Sequence, residues 1–138
     1  MKMQIKRIIQ DDATGCGLAC VAMIVGATYA EVKKVALDNG ILEEKRTFYT
    51  ISRDLISLLN YFNFKAERGR EVSHWSSIQS LSIVAINFRE SSNSWHWVVY
   101  VPDENQGYVL DPHKKIKKEQ RRDLSRMRLR SYISIDSI

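Results

Sequence analysis

The sequence predicts an α+β fold in which N-terminal helices pack on a C-terminal antiparallel sheet. Up to about residue 62, apolar side chains recur every three to four residues, which is the spacing of one helix face. From about residue 64 they alternate at a period of two, as in strands. Two of these alternating stretches flank residues 102–105, a Pro-Asp-Glu-Asn run that is typical of a turn.

Three helices account for the first half of the chain. We expect them at about residues 16–25, 28–38 and 51–62. The first is apolar nearly all round, which indicates a central buried helix, and Gly26 suits its C-terminal cap. Thr28 and Glu31 form a capping box that opens the second helix, and Asn39-Gly40 ends it.

The second half of the chain is expected to be mostly sheet. We predict strands at about residues 64–68, 82–88, 94–101, 106–111 and 128–135. The stretch 82–88 is the most apolar of them, and we expect it to be buried on both faces. A basic helix is predicted at 117–127, ahead of the last strand.

Length and composition are those of one globular domain covering residues 1–138. The chain is 44% hydrophobic and 27% charged, as is usual for such domains. No apolar run reaches the roughly 18 residues that a membrane helix requires. The basic start, residues 1–7, leads into Gln10-Asp11-Asp12 and not into a signal-peptide core. We therefore expect no membrane span and a cytoplasmic location.

The cysteine content predicts a protein without disulfides or metals. Cys16 and Cys20 lie four residues apart on one predicted helix, and bridging them would distort that helix. A reducing compartment fits this arrangement. A zinc site requires about four ligands, and the three histidines (residues 74, 96 and 113) do not complete a recognisable spacing. We expect no cofactor.

The net charge of +5 is concentrated in one basic segment, residues 113–130. This segment holds nine Lys or Arg against two acidic residues, whereas the remainder has 12 basic and 14 acidic side chains. Such a segment suits an acidic partner for residues 114–130, or simply a solvated face. Nucleic acid is a weaker interpretation, because no aromatic side chain interrupts the basic residues before Tyr132.

Cys16 is the strongest candidate for a reactive group. It lies between Gly15 and Gly17 at the start of an apolar helix, where free backbone N–H groups and the helix dipole stabilise a thiolate. The flanking glycines permit a tight turn and close approach of a substrate backbone. The alternative is a small buried hydrophobe, and we assign that role to Cys20, one turn further along.

His96 and Asp111 are expected to meet across a hairpin. If the turn is the four residues 102–105, then Val101 pairs with Gln106, and His96 lies directly opposite Asp111. Opposed residues have Cβ atoms about 4.5–5.5 Å apart, which suits a carboxylate accepting from an imidazole N–H. A one-residue bulge would place the two on opposite faces.

Gln10 completes the set of candidate site residues. Its amide and the Cys16 backbone N–H are expected to hold a developing oxyanion. The next two residues, Asp11 and Asp12, are expected to be exposed loop acids, with capping of the first helix as an alternative for Asp12. Cysteine, histidine and an orienting carboxylate together indicate a thiol hydrolase.

These motifs resemble those of a known family. Gln10, the Cys16-Gly17 pair and the apolar residues 18–24 are similar to the active-site start of the bacteriocin-processing, double-glycine leader peptidases. Residues 95–99 (Trp-His-Trp-Val-Val) and 110–112 (Leu-Asp-Pro) resemble that family's histidine and aspartate motifs. The resemblance covers roughly residues 5–112, with the motifs in order.

The resemblance implies a papain-like cysteine peptidase fold and a peptide or protein substrate, cut after a Gly-Gly-type leader motif. It implies Cys16 as nucleophile, His96 as general base and acid, Asp111 as the residue that orients His96, and Gln10 as an oxyanion donor. The sequence departs from the family at Gly15, where an acidic residue is common.

Three alternatives stay open at this point. A papain-like acyltransferase or deamidase would use the same acyl-enzyme. A non-catalytic peptide-binding module would share the fold, although binding alone does not require a nucleophile. The basic segment leaves a nucleic-acid-binding module as the third.

Overall fold

Three helices precede a five-stranded antiparallel sheet in the computed structural model, which describes residues 5–43, 49–69 and 72–136. The helices are α1 (Cys16–Val25), α2 (Tyr29–Asp38) and α3 (Ser52–Tyr61). The strands are β1 (Ala66–Arg68), β2 (Ser82–Arg89), β3 (Ser94–Val101), β4 (Tyr108–Leu110) and β5 (Leu129–Ile135). The α+β prediction is confirmed. The two ends of the predicted domain 1–138, including residues 1–4 of its basic start, lie outside the described residues.

The helices follow local signals in the sequence. α1 ends at Gly26, whose φ of 75° is the left-handed conformation that glycine adopts without strain. α2 opens on the predicted capping box, in which Thr28 Oγ1 accepts from the Glu31 N–H at 3.1 Å and Glu31 accepts from the Thr28 N–H at 3.3 Å. At the start of α3 the Asp54 carboxylate accepts from the Ile51 N–H.

The sheet has the strand order β1-β5-β2-β3-β4. The last strand, β5, is therefore inserted between the two earlier strands β1 and β2. β2 lies at its centre, and its residues 82–86 are buried, as predicted. This central strand separates two clusters of buried apolar side chains.

One face of the sheet packs on the helices. α1 is almost completely buried there, because seven of its residues are less than 5% exposed. Trp97 of β3 is 2% exposed, and its indole N–H donates to the Thr50 carbonyl at 2.9 Å just ahead of α3. This contact ties the strand that carries His96 to the helical layer.

Short one-turn 3-10 helices cover the opposite face, at Trp75–Ser77 and Leu124–Arg126. The Trp75 indole N–H donates to the carbonyls of Leu124 and Met127, both at 3.2 Å. Leu124 and Met127 are themselves buried against Val84 and Val98 of the sheet. The two segments that contain these 3-10 helices therefore cover the second cluster of buried apolar side chains.

The predicted basic helix at 117–127 is wrong. The segment is extended at Arg121, which exchanges backbone hydrogen bonds with Val109, and then makes only the 3-10 turn at 124–126. Its two apolar residues, Leu124 and Met127, are needed on the sheet face, and a single turn presents both. The sequence lacks the longer apolar stripe that would hold an α-helix on the core.

The predicted hairpin register is also wrong, by two residues. Val101 pairs with Tyr108 and Val99 with Leu110, so His96 does not lie directly opposite Asp111. The connection is longer than four residues because Asp103 accepts from the N–H groups of Asn105 and Gly107 and holds the loop open. Positive φ angles at residues 106 and 107 then return the chain to the sheet.

Within the described residues, no single helix is both long and apolar enough to cross a membrane. α1 and α2 meet the length and composition criteria only when taken together, and they are bent by 110° at the break between them.

Candidate active site

Cys16 is the first residue of α1 and is partly exposed. Its backbone lies in the first helical turn, where N–H groups have no partner within the helix. The flanking glycines also have a packing role that the sequence did not indicate. Gly15 has an ordinary φ of −89°, and a Cβ there would overlap the Tyr29 hydroxyl of α2. A Cβ at Gly17 would overlap the Thr50 side chain just ahead of α3, so both glycines permit close packing around the start of α1.

His96 and Asp111 form a direct hydrogen bond, with 2.7 Å between His96 Nε2 and Asp111 Oδ1. They meet although the register differs from the prediction, because a shift of two residues keeps every side chain on its original face. The contact is diagonal, from β3 to the residue after β4, and not between opposed residues. Nε2 is occupied by Asp111, which leaves Nδ1 as the ring atom for Cys16.

The Asp111 side chain is only 2% exposed, yet each of its oxygens has a partner. Oδ1 accepts from His96 and from the His113 backbone N–H at 3.0 Å. Oδ2 accepts from the Arg121 guanidinium at 2.7 Å. A buried carboxylate with this many donors is held in its charged form.

The electrostatics of the pair favour a charged imidazole. Burial by itself lowers the pKa of His96, but hydrogen bonds with Asp111 and Cys16 outweigh it and raise the pKa to about 9. Burial likewise raises the pKa of Asp111, but His96, the His113 backbone and Arg121 bring it below its ordinary value. At neutral pH the site therefore holds a charged His96 imidazolium beside the Asp111 carboxylate.

Cys20 differs from Cys16 in every respect that matters for reactivity. It is fully buried in the core against the sheet. Burial, followed by the proximity of Cys16 and Asp111, raises the pKa of the Cys20 thiol well above its ordinary value. Cys20 is a neutral core side chain.

Gln10 is buried beside the start of α1. Its Nε2 donates to the carbonyls of Asp12 at 3.0 Å and Ala13 at 2.9 Å, and its backbone N–H donates to Pro112 at 2.9 Å. Gln10 therefore shapes the turn that enters α1 and ties that turn to the chain just after Asp111. Its Oε1 is buried and has no partner among the described residues.

Asp12 does not cap α1, for which no side-chain cap is present. Its carboxylate accepts from the Tyr29 hydroxyl at 2.6 Å and pairs with Lys33 Nζ at 3.0 Å. It is partly buried, so it is not the exposed loop acid that was expected either. Asp12 instead joins the turn before Cys16 to α2.

The Cys16–His96 pair opens onto a cleft of about 520 Å³. Its walls are formed by the loop before α1, the chain ahead of α3, and the turn into β3 together with that strand. The lining residues are Ala13, Thr14, Cys16, Tyr49, Thr50, Ile51, Ser92, Asn93, Ser94, Trp95, His96 and Trp97. Asp111 and Gln10 lie behind the surface of this cleft. Among the described residues, no cluster of three or more His, Cys, Asp or Glu is placed to hold a metal ion.

Two arginines that sequence reasoning did not identify support the site. Arg121 donates to the Asp111 carboxylate. The Arg7 side chain is 3% exposed, and its guanidinium donates to the carbonyls of Asp111, His113 and Ile116. Neither residue stands out in the sequence, since Arg121 is one of nine basic residues in its segment and Arg7 lies in a basic start.

We expect Arg7→Met to lower the free energy of unfolding by about 3 kcal/mol. The variant leaves three backbone carbonyls without their charged donor, and a hydrogen bond to a charged group contributes about 1.5–3 kcal/mol. Urea unfolding followed by circular dichroism measures the change. Lys6→Met is the control, because Lys6 is exposed and its replacement removes the same single positive charge. Equal stability of the two variants would contradict the anchoring role of Arg7.

Comparisons with known proteins identify the family and the fold of this chain. The model of the peptidase C39 family matches residues 4–128. No curated protein sequence is significantly similar to the chain. A double glycine motif protease from an AMS/PCAT transporter, solved in complex with the leader peptide, superposes with a TM-score of 0.64 at 18% identity, covering 98% of this chain and 93% of that one.

Two streptococcal structures are similar as well. The peptidase domain of Streptococcus ComA, a bi-functional ABC transporter involved in a quorum sensing pathway, gives a TM-score of 0.73 at 14% identity and covers 98% of this chain and 100% of that one. The peptidase domain of Streptococcus mutans ComA gives 0.64 at 14% identity, with coverages of 96% and 99%. The fold is therefore papain-like, as expected. With its family model matched over most of its length, the chain belongs to the peptidase C39 family and is a cysteine peptidase.

Proposed function

We propose that this peptidase cleaves a peptide after a Gly-Gly-type leader motif, using Cys16, His96, Asp111 and Gln10. One observation carries the assignment of residues. His96 is hydrogen-bonded to Asp111 at 2.7 Å and lines an open cleft together with Cys16, whose side chain helps to raise the pKa of His96. The Gly-Gly specificity is supported by the family and by the leader-bound double glycine motif protease to which the fold is similar.

The chemistry follows from these positions. The Cys16 thiolate attacks the scissile carbonyl, forming a carbon–sulfur bond and a tetrahedral oxyanion. His96 in its charged form then gives its proton to the leaving amine as the carbon–nitrogen bond breaks. Neutral His96 next takes a proton from water, whose oxygen displaces Cys16 from the thioester. Asp111 keeps the ring in the orientation that serves both steps.

The oxyanion is stabilised by the Cys16 backbone N–H and the Gln10 amide in this proposal. Cys16 lies at a helix N-terminus, where backbone donors and the helix dipole favour negative charge. Both Gln10 amide hydrogens are directed at loop carbonyls in the free protein. When the oxyanion forms, Gln10 therefore has to share one of these hydrogen atoms between a loop carbonyl and the oxyanion, or to release the carbonyl.

The surface beside the cleft suits an extended peptide. A second groove of about 680 Å³ adjoins the cleft and shares the lining residues Ile51, Asn93, Trp95 and Trp97 with it. A chain entering this groove reaches Cys16 without leaving the surface. Its aromatic and aliphatic walls supply the buried contact that peptide binding requires.

The test uses a synthetic peptide with a Gly-Gly motif before the scissile bond, and products are identified by mass spectrometry. We expect one cut, after the second glycine. A peptide with Val-Val at the same two positions is the control and should stay intact. Run in ¹⁸O water, hydrolysis places one heavy oxygen in the new carboxylate. Transfer to an added amine without ¹⁸O uptake would support the acyltransferase instead, and equal cutting of both peptides would overturn the Gly-Gly specificity.

Three further assignments accompany this proposal. Residues 1–138 are taken as one peptidase domain, in which the basic segment 113–130 is part of the fold. The free Cys16 and Cys20 thiols suit a reducing, cytoplasmic compartment. Four exposed lysines, at positions 114, 115, 117 and 118, offer a surface to an acidic partner.

A further inference from the structure

The Arg121 side chain joins two carboxylates. Its Nη1 donates to Asp111 Oδ2 at 2.7 Å, while Nε and Nη2 donate to the two oxygens of Asp123 at 3.1 and 2.9 Å. Its backbone exchanges two 2.8 Å hydrogen bonds with Val109, two residues before Asp111. Arg121 is thus held both at its backbone and at its guanidinium, and its side chain is only 16% exposed.

Arg121 is the sole described donor to Asp111 Oδ2, whereas Oδ1 accepts from His96 and the His113 backbone. Without Arg121, a carboxylate oxygen that is almost fully buried would lack a partner, which is costly for a charged group. Rotation of the carboxylate toward water or another donor would relieve that cost. The same rotation would move Oδ1 away from His96.

We propose that Arg121 is a positioning residue of the peptidase, which acts through Asp111 to hold His96 in register with Cys16. The inference rests on the proposed function and deepens it. Asp123 holds Arg121 from the other side. The basic segment therefore contributes to the site through Arg121. This role is separate from any binding of a partner by its exposed lysines.

The geometry predicts which kinetic constant changes. Arg121 lies behind Asp111 and does not line the cleft, so its loss leaves substrate contacts in place. We expect Arg121→Met to lower kcat roughly 10–100-fold, as for other residues that orient a catalytic group, with KM changed less than about twofold. Arg121→Lys retains the charge but not the planar fork, and it is expected to recover part of the loss.

A double-mutant cycle with Asp111→Asn provides the test. If Arg121 acts through Asp111, then Arg121→Met should cost little further kcat in the Asp111→Asn background. Arg122→Met is the matched control, because Arg122 pairs with Asp103 at the hairpin loop and not with Asp111. The control should retain wild-type kcat. Thermal unfolding identifies any variant that fails to fold. If Arg121→Met does not fold, Arg121→Lys replaces it in the cycle.

Alkylation of Cys16 by iodoacetamide gives a readout that requires no peptide. Arg121→Met is expected to slow this reaction at pH 6, whereas Arg122→Met should not. If wild-type Cys16 is alkylated and Arg121→Met leaves both the alkylation rate and kcat unchanged, the inference about Arg121 is overturned while the proposed function stands. Fully additive losses in the cycle would also overturn it, since Arg121 would then act independently of Asp111. A wild-type protein with an unreactive Cys16 and no cleavage would instead contradict the proposed function.

Discussion

Replacing Cys16 by alanine is expected to reduce peptide cleavage by roughly 10⁴-fold or more, to the level of the remaining binding groups. The variant removes the sulfur that forms the acyl-enzyme, and no other thiol can take its place. Cys20 is fully buried one turn further along α1. Single-turnover assays with the Gly-Gly peptide measure the loss.

Cys20→Ala is the matched control for this experiment. It makes the same substitution one helical turn away and leaves a small cavity in the core, so it should lower stability by about 1–2 kcal/mol and retain most activity. Substantial cleavage by Cys16→Ala, or loss of cleavage in a folded Cys20→Ala variant, would contradict Cys16 as the nucleophile.

His96→Ala is expected to lower cleavage by roughly 10⁴-fold and to slow the alkylation of Cys16 by iodoacetamide. In the wild type, the imidazolium favours the reactive form of the neighbouring sulfur, so Cys16 should be alkylated faster than in His96→Ala at the same pH. Peptide mass spectrometry follows Cys16 and Cys20 separately, and Cys20 should stay inert in both proteins.

The same residue sets the alkaline limit of the wild-type reaction. The pKa of His96 is raised to about 9, so the proton for the leaving amine is present at neutral pH and is lost as the pH passes about 9. We expect kcat/KM to fall above that pH. An alkylation profile that is identical in wild type and His96→Ala would show that the Cys16–His96 pair is not assembled.

Much of the fold is visible in the sequence because its signals are local. Periodicity and caps predicted α1 at its observed bounds, and the capping box predicted the start of α2. The alternating apolar stretch predicted β3 at its observed bounds. These features depend on residues within a few positions of one another, so they can be read without knowing the rest of the chain.

Errors arose where distant residues decide the conformation. The segment 117–127 forms no α-helix because the second core needs Leu124 and Met127, and Arg121 pairs with Val109. The hairpin loop is lengthened by the Asp103 side chain, which shifts the register by two residues. His96 and Asp111 nevertheless meet, because alternation along strands keeps their side chains on one face.

The sequence by itself determined the α+β class, the buried helix that begins at Cys16, and the candidate residues of a cysteine peptidase. Only the tertiary structure decided how those residues are supported. Arg121, 10 residues away, donates to the Asp111 carboxylate, and Arg7, 104 residues away, donates to the Asp111 backbone carbonyl. The two glycines beside Cys16 allow close packing around the start of α1. The physical reason is that buried carboxylate and carbonyl oxygens require hydrogen-bond donors, and these come from whichever segments the fold brings near them.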